Sequence, residues 1–135
     1  MVEWKLHLSS SCDRVYDFLA TDSGRAEFWA ESASERDGHI EFEFPGGVEW
    51  RARILEAERP RRLVLTYFGE TTVAFDLESD GSGGCELTLA DTADDPETLA
   101  GWVSVLLALK AAVDFGIDLR NHDLDRTWSS GYADN

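Results

Sequence analysis

The sequence predicts an α+β fold in which a curved antiparallel sheet of about seven strands is covered by one long C-terminal helix. Two observations carry this. From residue 31 to 92 apolar and polar residues alternate in short runs separated by turn signals, the mark of strands with one wet and one covered face. Residues 96–115 then form the one stretch long and apolar enough to lie across such a sheet. The predicted element order is β-α-α-β6-α.

Residues 2–8 place Val2, Trp4, Leu6 and Leu8 on one face and Glu3, Lys5 and His7 on the other, as in a half-buried strand. Serines 9–11 offer N-caps, and Val15, Phe18 and Leu19 recur at helical spacing over 12–20. Thr21, Asp22 and Ser23 restart a second short helix leading to Phe28 and Trp29. Asp37-Gly38 is a hairpin signal, and Pro45-Gly46-Gly47, Arg59-Pro60, Gly69 and the glycine-rich 80–84 divide the remaining strands. The inward series read Ile40, Phe42, Phe44; Val48, Trp50, Ala52, Ile54; Leu63, Leu65, Tyr67; Val73, Phe75, Leu77; and Cys85, Leu87, Leu89. Asp94 or Asp95 caps the long helix, Pro96 suits its first turn and Gly116 its end. Leu99, Trp102, Val103, Leu106, Leu109, Lys110 and Val113 are its predicted sheet-facing stripe. The reading divides the chain into one domain, 1–116, and a tail, 117–135. Ile117, Leu119, Leu124, Trp128 and Tyr132 make that tail too apolar for a free end, so it is expected to dock on the domain or on a partner subunit.

Twelve basic against 27 acidic residues give a net charge of −15, and only Lys5 and Lys110 are lysines. Such a field repels nucleic acid and anionic membranes, so neither is an expected partner. It fits either a salty cytosol, where a Debye length near ~3 Å at 1 M screens self-repulsion, or a surface tuned for solubility. No run is read as approaching the ~20 apolar residues of a membrane helix, and MVEWKLHL alternates like a strand rather than a signal segment. The expected location is cytoplasmic, where Cys12 and Cys85 stay reduced and act as small hydrophobes.

No nucleophile elbow, zinc-protease motif, phosphate loop or dinucleotide fingerprint is present. His7 falls on a polar strand face and His39 beside a turn. His122, Asp123 and Asp125 are adjacent without the spacing that aims ligands at one ion, so no metal is expected. Glu41 and Glu43 read as a solvated sheet face. Glu56 continues the inward series from Ile54 and, with Tyr67 and Glu35, is among the few inward groups able to act as acid or base. No catalytic residue and no cofactor is assigned.

Several phrases carry a resemblance to a known family: Val15 to Leu19 followed by Phe28-Trp29, the Asp37-Gly38 hairpin, RILEAERPRRLVLTY (53–67), TVAFDLESDGSGGCELTLAD (72–91) and GWVSVLLALK (101–110). Over roughly residues 2–115 the chain resembles the SRPBCC or START-like superfamily, in its activator-of-heat-shock-protein-90-ATPase-like branch. The resemblance implies a helix-grip fold with a deep cavity between sheet and long helix. It places Phe28 and Trp29 at the cavity mouth. In relatives this cavity serves lipids, hormones or polyketides. In the co-chaperones that give the branch its name the domain is one of two, and this chain is expected to hold only one.

Large aromatics on inward faces fit a cavity wall, because Trp and Tyr bring polar tips that need partners inside. The predicted wall is Trp4, Phe42, Trp50, Tyr67, Phe75, Trp102, Leu106 and Leu109, with Tyr67 and the Trp50 indole orienting the ligand. The expected function is binding or carrying a small hydrophobic molecule without covalent catalysis. Two other classes stay open: an enzyme resembling polyketide cyclases that uses the same cavity, and a protein-interaction module that acts on a chaperone or as a homodimer through its tail.

Overall fold

The computed structural model describes residues 1–135. Strand β1 (Val2–Leu8) leads into α1 (Cys12–Ala20) and α2 (Asp22–Ala26). The meander β2 (Ser32–Arg36), β3 (His39–Phe44), β4 (Val48–Glu58), β5 (Arg62–Tyr67), β6 (Thr71–Ser79) and β7 (Cys85–Asp91) follows, and then α3 (Pro96–Phe115). All seven strands form one antiparallel sheet in the order β1-β7-β6-β5-β4-β3-β2. The first strand closes the meander by pairing with the last, leaving β1 and β2 as edges. This is an α+β helix-grip fold.

Local chemistry explains the boundaries. Ser11 accepts from the Arg14 N–H, Thr21 from Gly24 and Asp95 from Thr98, so each helix start has a side-chain cap. Asp37 and Gly38 both take positive φ, 51° and 76°, the requirement of a two-residue hairpin turn that follows the strand twist. Gly116 ends α3 at φ 64° and donates back to Ala111 and Ala112.

The core lies between the concave sheet and α3. Trp102, Leu106, Leu109 and Val113 are buried at a 4-3-4 spacing that keeps them on one helix face. Leu99 and Val103 do not share it: they are 40% and 37% exposed, and Ala108 and Ala112 are buried instead. The helix is apolar around most of its circumference, so its rotation is set by which residues fit the sheet. Pro96–Phe115 has the length and mean hydropathy, 1.5, of a membrane-crossing helix. Here one face of the helix packs against the sheet and α1, while Leu99, Val103 and Leu107 stay exposed on the other side. Asp114 accepts hydrogen bonds from the Ser9 and Ser10 amides (2.9 and 3.1 Å) and the Ser10 hydroxyl (2.7 Å), joining the end of α3 to the start of α1.

A β-bulge corrects one inward assignment. Ile54 pairs with Leu65 while Glu56 pairs with Val64, so two steps on β4 match one on β5. The shift takes Glu56 out of the inward series, and its carboxylate meets Arg62 at 2.9 Å on the outer surface.

Candidate ligand cavity

An aromatic cluster occupies the middle of the molecule. The Trp29 ring lies 4.8 Å from Phe42, 5.5 Å from Phe75, 6.0 Å from Trp102 and 6.1 Å from Tyr67 between centroids. Phe42, Phe75, Leu106 and Leu109 are at most 4% exposed and belong to the buried core cluster. These four predicted wall residues pack as core, away from the open cavity.

Open space sits at one end instead. A cavity of about 620 Å³ lies among the N-terminal half of α3, the β3–β4 turn, the turn after β5 and the tail. Trp102, Tyr67, Phe28 and Trp29 form its inner surface, Phe44, Val48 and Phe68 one side, and Leu107, Leu119 and Trp128 the outer rim. Phe28 and Trp29 are 2% and 3% exposed, so they floor the cavity rather than frame its mouth. Trp4 and Trp50 lie outside it. The Trp4 indole donates to the Leu99 carbonyl (3.3 Å) and ties β1 to α3, while the Trp50 indole donates across the sheet to Thr66 (3.3 Å) and orients nothing in the cavity.

Tyr67 and Trp102 are the predicted residues that do line the cavity, with ring centroids 4.9 Å apart. The Trp29 indole donates to the Tyr67 hydroxyl oxygen at 3.1 Å. That bond uses the oxygen as acceptor and leaves the O–H without an acceptor in the chain. Burial pushes the hydroxyl well above its ordinary pKa, against a smaller lowering by the Trp29 bond, so it stays protonated.

Sequence reasoning missed Asp91. It is fully buried, lines the cavity, and accepts from the Trp102 indole (2.7 Å) and the Ala93 amide (2.9 Å). The signal was present: Asp91 is the next inward position after Cys85, Leu87 and Leu89. Both carboxylate oxygens are engaged, so Asp91 acts as an anchor that fixes the Trp102 ring. Glu35, the other candidate acid, is exposed on β2.

The tail reaches the cavity through polar contacts. Arg120 donates to the Ala30 and Ala26 carbonyls (2.7 and 2.6 Å), satisfying the chain at the exit of α2, and pairs with Asp118 at 3.0 Å. His122 bonds Glu31 (2.9 Å) and Asp118 (2.7 Å). Ile117, Leu119, Leu124 and Tyr132 are 54%, 51%, 75% and 44% exposed, so their apolarity is not what holds the tail. Trp128, 37% exposed, packs on Gly101 without an acceptor for its indole N–H.

The family described as activator of Hsp90 ATPase homolog 1-like protein matches residues 9–114. The chain belongs to this family. A search of curated proteins finds no match. Among solved structures, a protein from Staphylococcus saprophyticus superimposes with a TM-score of 0.79 at 21% identity, over 91% of this chain and 98% of that one. The Aha1 dimer of Colwellia psychrerythraea gives 0.74 at 20% identity, over 85% and 96%. DynU16, from the dynemicin biosynthetic locus, gives 0.74 at 18% identity, over 87% of this chain but 48% of that one. These superpositions show that the chain shares its helix-grip fold with the three proteins.

Proposed function

We propose that the protein binds a small hydrophobic molecule bearing a hydrogen-bond acceptor, without covalent catalysis. The observation that carries this is the Tyr67 hydroxyl, held by Trp29 so that its O–H is free at the floor of an aromatic cavity. Ligand sites are mostly apolar with a few placed polar groups, and an unmet O–H there favours a carbonyl, ether or similar oxygen. The ligand ring would stack against Trp102 and Tyr67. Its exit would be bounded by Leu107, Leu119 and Trp128, with 117–135 a tail closing one side of the domain formed by 1–116. With −15 net charge a neutral or cationic ligand is favoured over an anion, and the protein works in the cytoplasm away from nucleic acid and anionic lipid.

A second copy of the chain fits the outer flank of α3. Leu99, Val103 and Leu107 are exposed at i, i+4, i+8 spacing, and no charged residue occurs between Glu97 and Lys110. Two copies meeting there would bury apolar surface without burying charge. The Aha1 dimer of Colwellia psychrerythraea is a precedent for pairing on this fold.

The test of binding is fluorescence titration with Nile red, a neutral dye that carries a carbonyl. Saturable micromolar binding, weakened in Leu107→Glu at unchanged circular dichroism, supports the reading. Absence of saturable binding to folded protein overturns it.

A further inference from the structure

We propose that Cys12 and Cys85 are an oxidisable dithiol that closes into an intramolecular disulfide. Their Sγ atoms lie 2.6 Å apart, although the residues are 73 positions apart in the chain. Cys12 opens α1, immediately after its N-cap Ser11, and Cys85 opens β7, opposite Leu8 on one neighbour strand and Ser79 on the other. The turn from β1 to α1 therefore delivers one thiol onto the other. Both are free.

The two thiols differ in access, which assigns their roles. Cys85 is fully buried, while Cys12 is partly exposed and lines an open polar groove with Ser11, Asp13, Arg62, Gly83 and Gly84. A small oxidant reaches Cys12 first. Burial, reinforced by the adjacent Cys12 thiol, raises the Cys85 pKa strongly, so Cys85 remains a thiol until its partner is activated. This is the arrangement of a reachable thiol beside a resolving one.

With hydrogen peroxide as oxidant the chemistry balances in two steps. The Cys12 thiolate attacks one peroxide oxygen, the O–O bond breaks, and the departing hydroxide takes up a proton as water, leaving Cys12 as sulfenic acid. The Cys85 sulfur then attacks the Cys12 sulfur as its proton is transferred to the leaving hydroxyl. The S–S bond forms and a second water departs. Two thiols have lost two electrons and two protons, and one peroxide has become two waters. The product pins the start of α1 to β7, beside the Asp114 contacts of Ser9 and Ser10.

The experiment is peroxide treatment of the full chain followed by denaturing thiol titration and intact mass. The expected result is joint loss of both thiols, a mass decrease of two hydrogens, reversal by dithiothreitol and a higher thermal midpoint for the oxidised protein. Cys85→Ser should convert the reaction to a Cys12 sulfenic acid captured by dimedone. Cys12→Ser should leave Cys85 unoxidised at the same peroxide dose. Should either variant fail to fold, the wild-type mass and thiol count still decide. Retention of both thiols, stepwise gain of oxygen, or a chain-to-chain disulfide on a non-reducing gel would overturn the proposal.

Discussion

Gly101 on α3 faces the indole of Trp128 so closely that a Cβ at Gly101 would stand 2.7 Å from Cη2 of the ring. The contact uses the missing side chain to let the tail lie flat on the helix. Gly101→Ala should therefore push the tail off, even though alanine is the better helix former. Overpacking of this kind costs about 1–3 kcal/mol. We expect a lower thermal midpoint and faster amide exchange over 117–135. Adding Trp128→Ala should relieve the clash, so the double variant should exchange in the tail no faster than Trp128→Ala alone.

The tail contact is also pH dependent. Both ring nitrogens of His122 face carboxylates, and only the imidazolium can donate to both. The bond to Asp118, and then that to Glu31, raises the His122 pKa above its ordinary 6.5. Its contribution is complete below 6.5 and is lost as pH climbs through the raised value. Asp118 works in the opposite sense: against desolvation, its bonds to Arg120 and His122 pull it down to about 2. Its contribution is present above 3.8 and disappears as pH falls toward 2. Docking should be tightest between these limits. Heteronuclear NOE values for 118–134 should be higher at pH 5.5 than at pH 8.5, and His122→Gln should remove the difference. Equal values in wild type would contradict the assignment.

Asp114 is the stronger structural anchor. Its side chain is 1% exposed, and although desolvation opposes it, the bonds from Ser9 and Ser10 hold the carboxyl below its ordinary range. Asp114→Ala strands the two amides where α3 meets α1. Hydrogen bonds to charged groups contribute about 1.5–3 kcal/mol, so a loss of about 2–3 kcal/mol is expected in urea unfolding at pH 7. The loss should shrink as acid protonates the wild-type carboxylate.

A net charge of −15 on a chain this small makes self-repulsion a cost that salt relieves. The thermal midpoint should rise with potassium chloride between about 0.05 and 1 M, most steeply at the low end. A flat or falling midpoint would leave solubility as the sole role of the acidic surface.

The strand pattern was legible because each strand has one wet face, and period two reports that directly. The rotation of α3 was not. Leucine, valine and alanine ring most of the helix, so Leu99 and Val103 looked as good for the core as Ala108 and Ala112. Glu56 misled because a bulge reverses the parity of a strand, and nothing in ILEAE marks one. The aromatic wall divides between core and cavity for a different reason. Inward-facing says which side of the sheet a ring occupies, while whether it fills space or bounds it depends on neighbours far along the chain, as Trp29 does for Phe42 and Phe75. Asp91 is legible in the same pattern, as a carboxylate continuing the inward series of Cys85, Leu87 and Leu89. Arg120 carried no comparable signal, since its partners are backbone carbonyls at Ala26 and Ala30.

The central claim is that the free O–H of Tyr67 reads an acceptor on an apolar ligand. It is tested most directly by calorimetric affinities of wild type and Tyr67→Phe for 2-acetylnaphthalene and 2-ethylnaphthalene, two ligands alike in shape of which only the first carries a carbonyl. A neutral hydrogen bond contributes about 0.5–1.5 kcal/mol, or about 2- to 10-fold in affinity. The account predicts that wild type prefers the ketone, that Tyr67→Phe loses that preference, and that the hydrocarbon binds both proteins alike. Equal loss of both ligands, or an unchanged preference for the ketone in Tyr67→Phe, would contradict it.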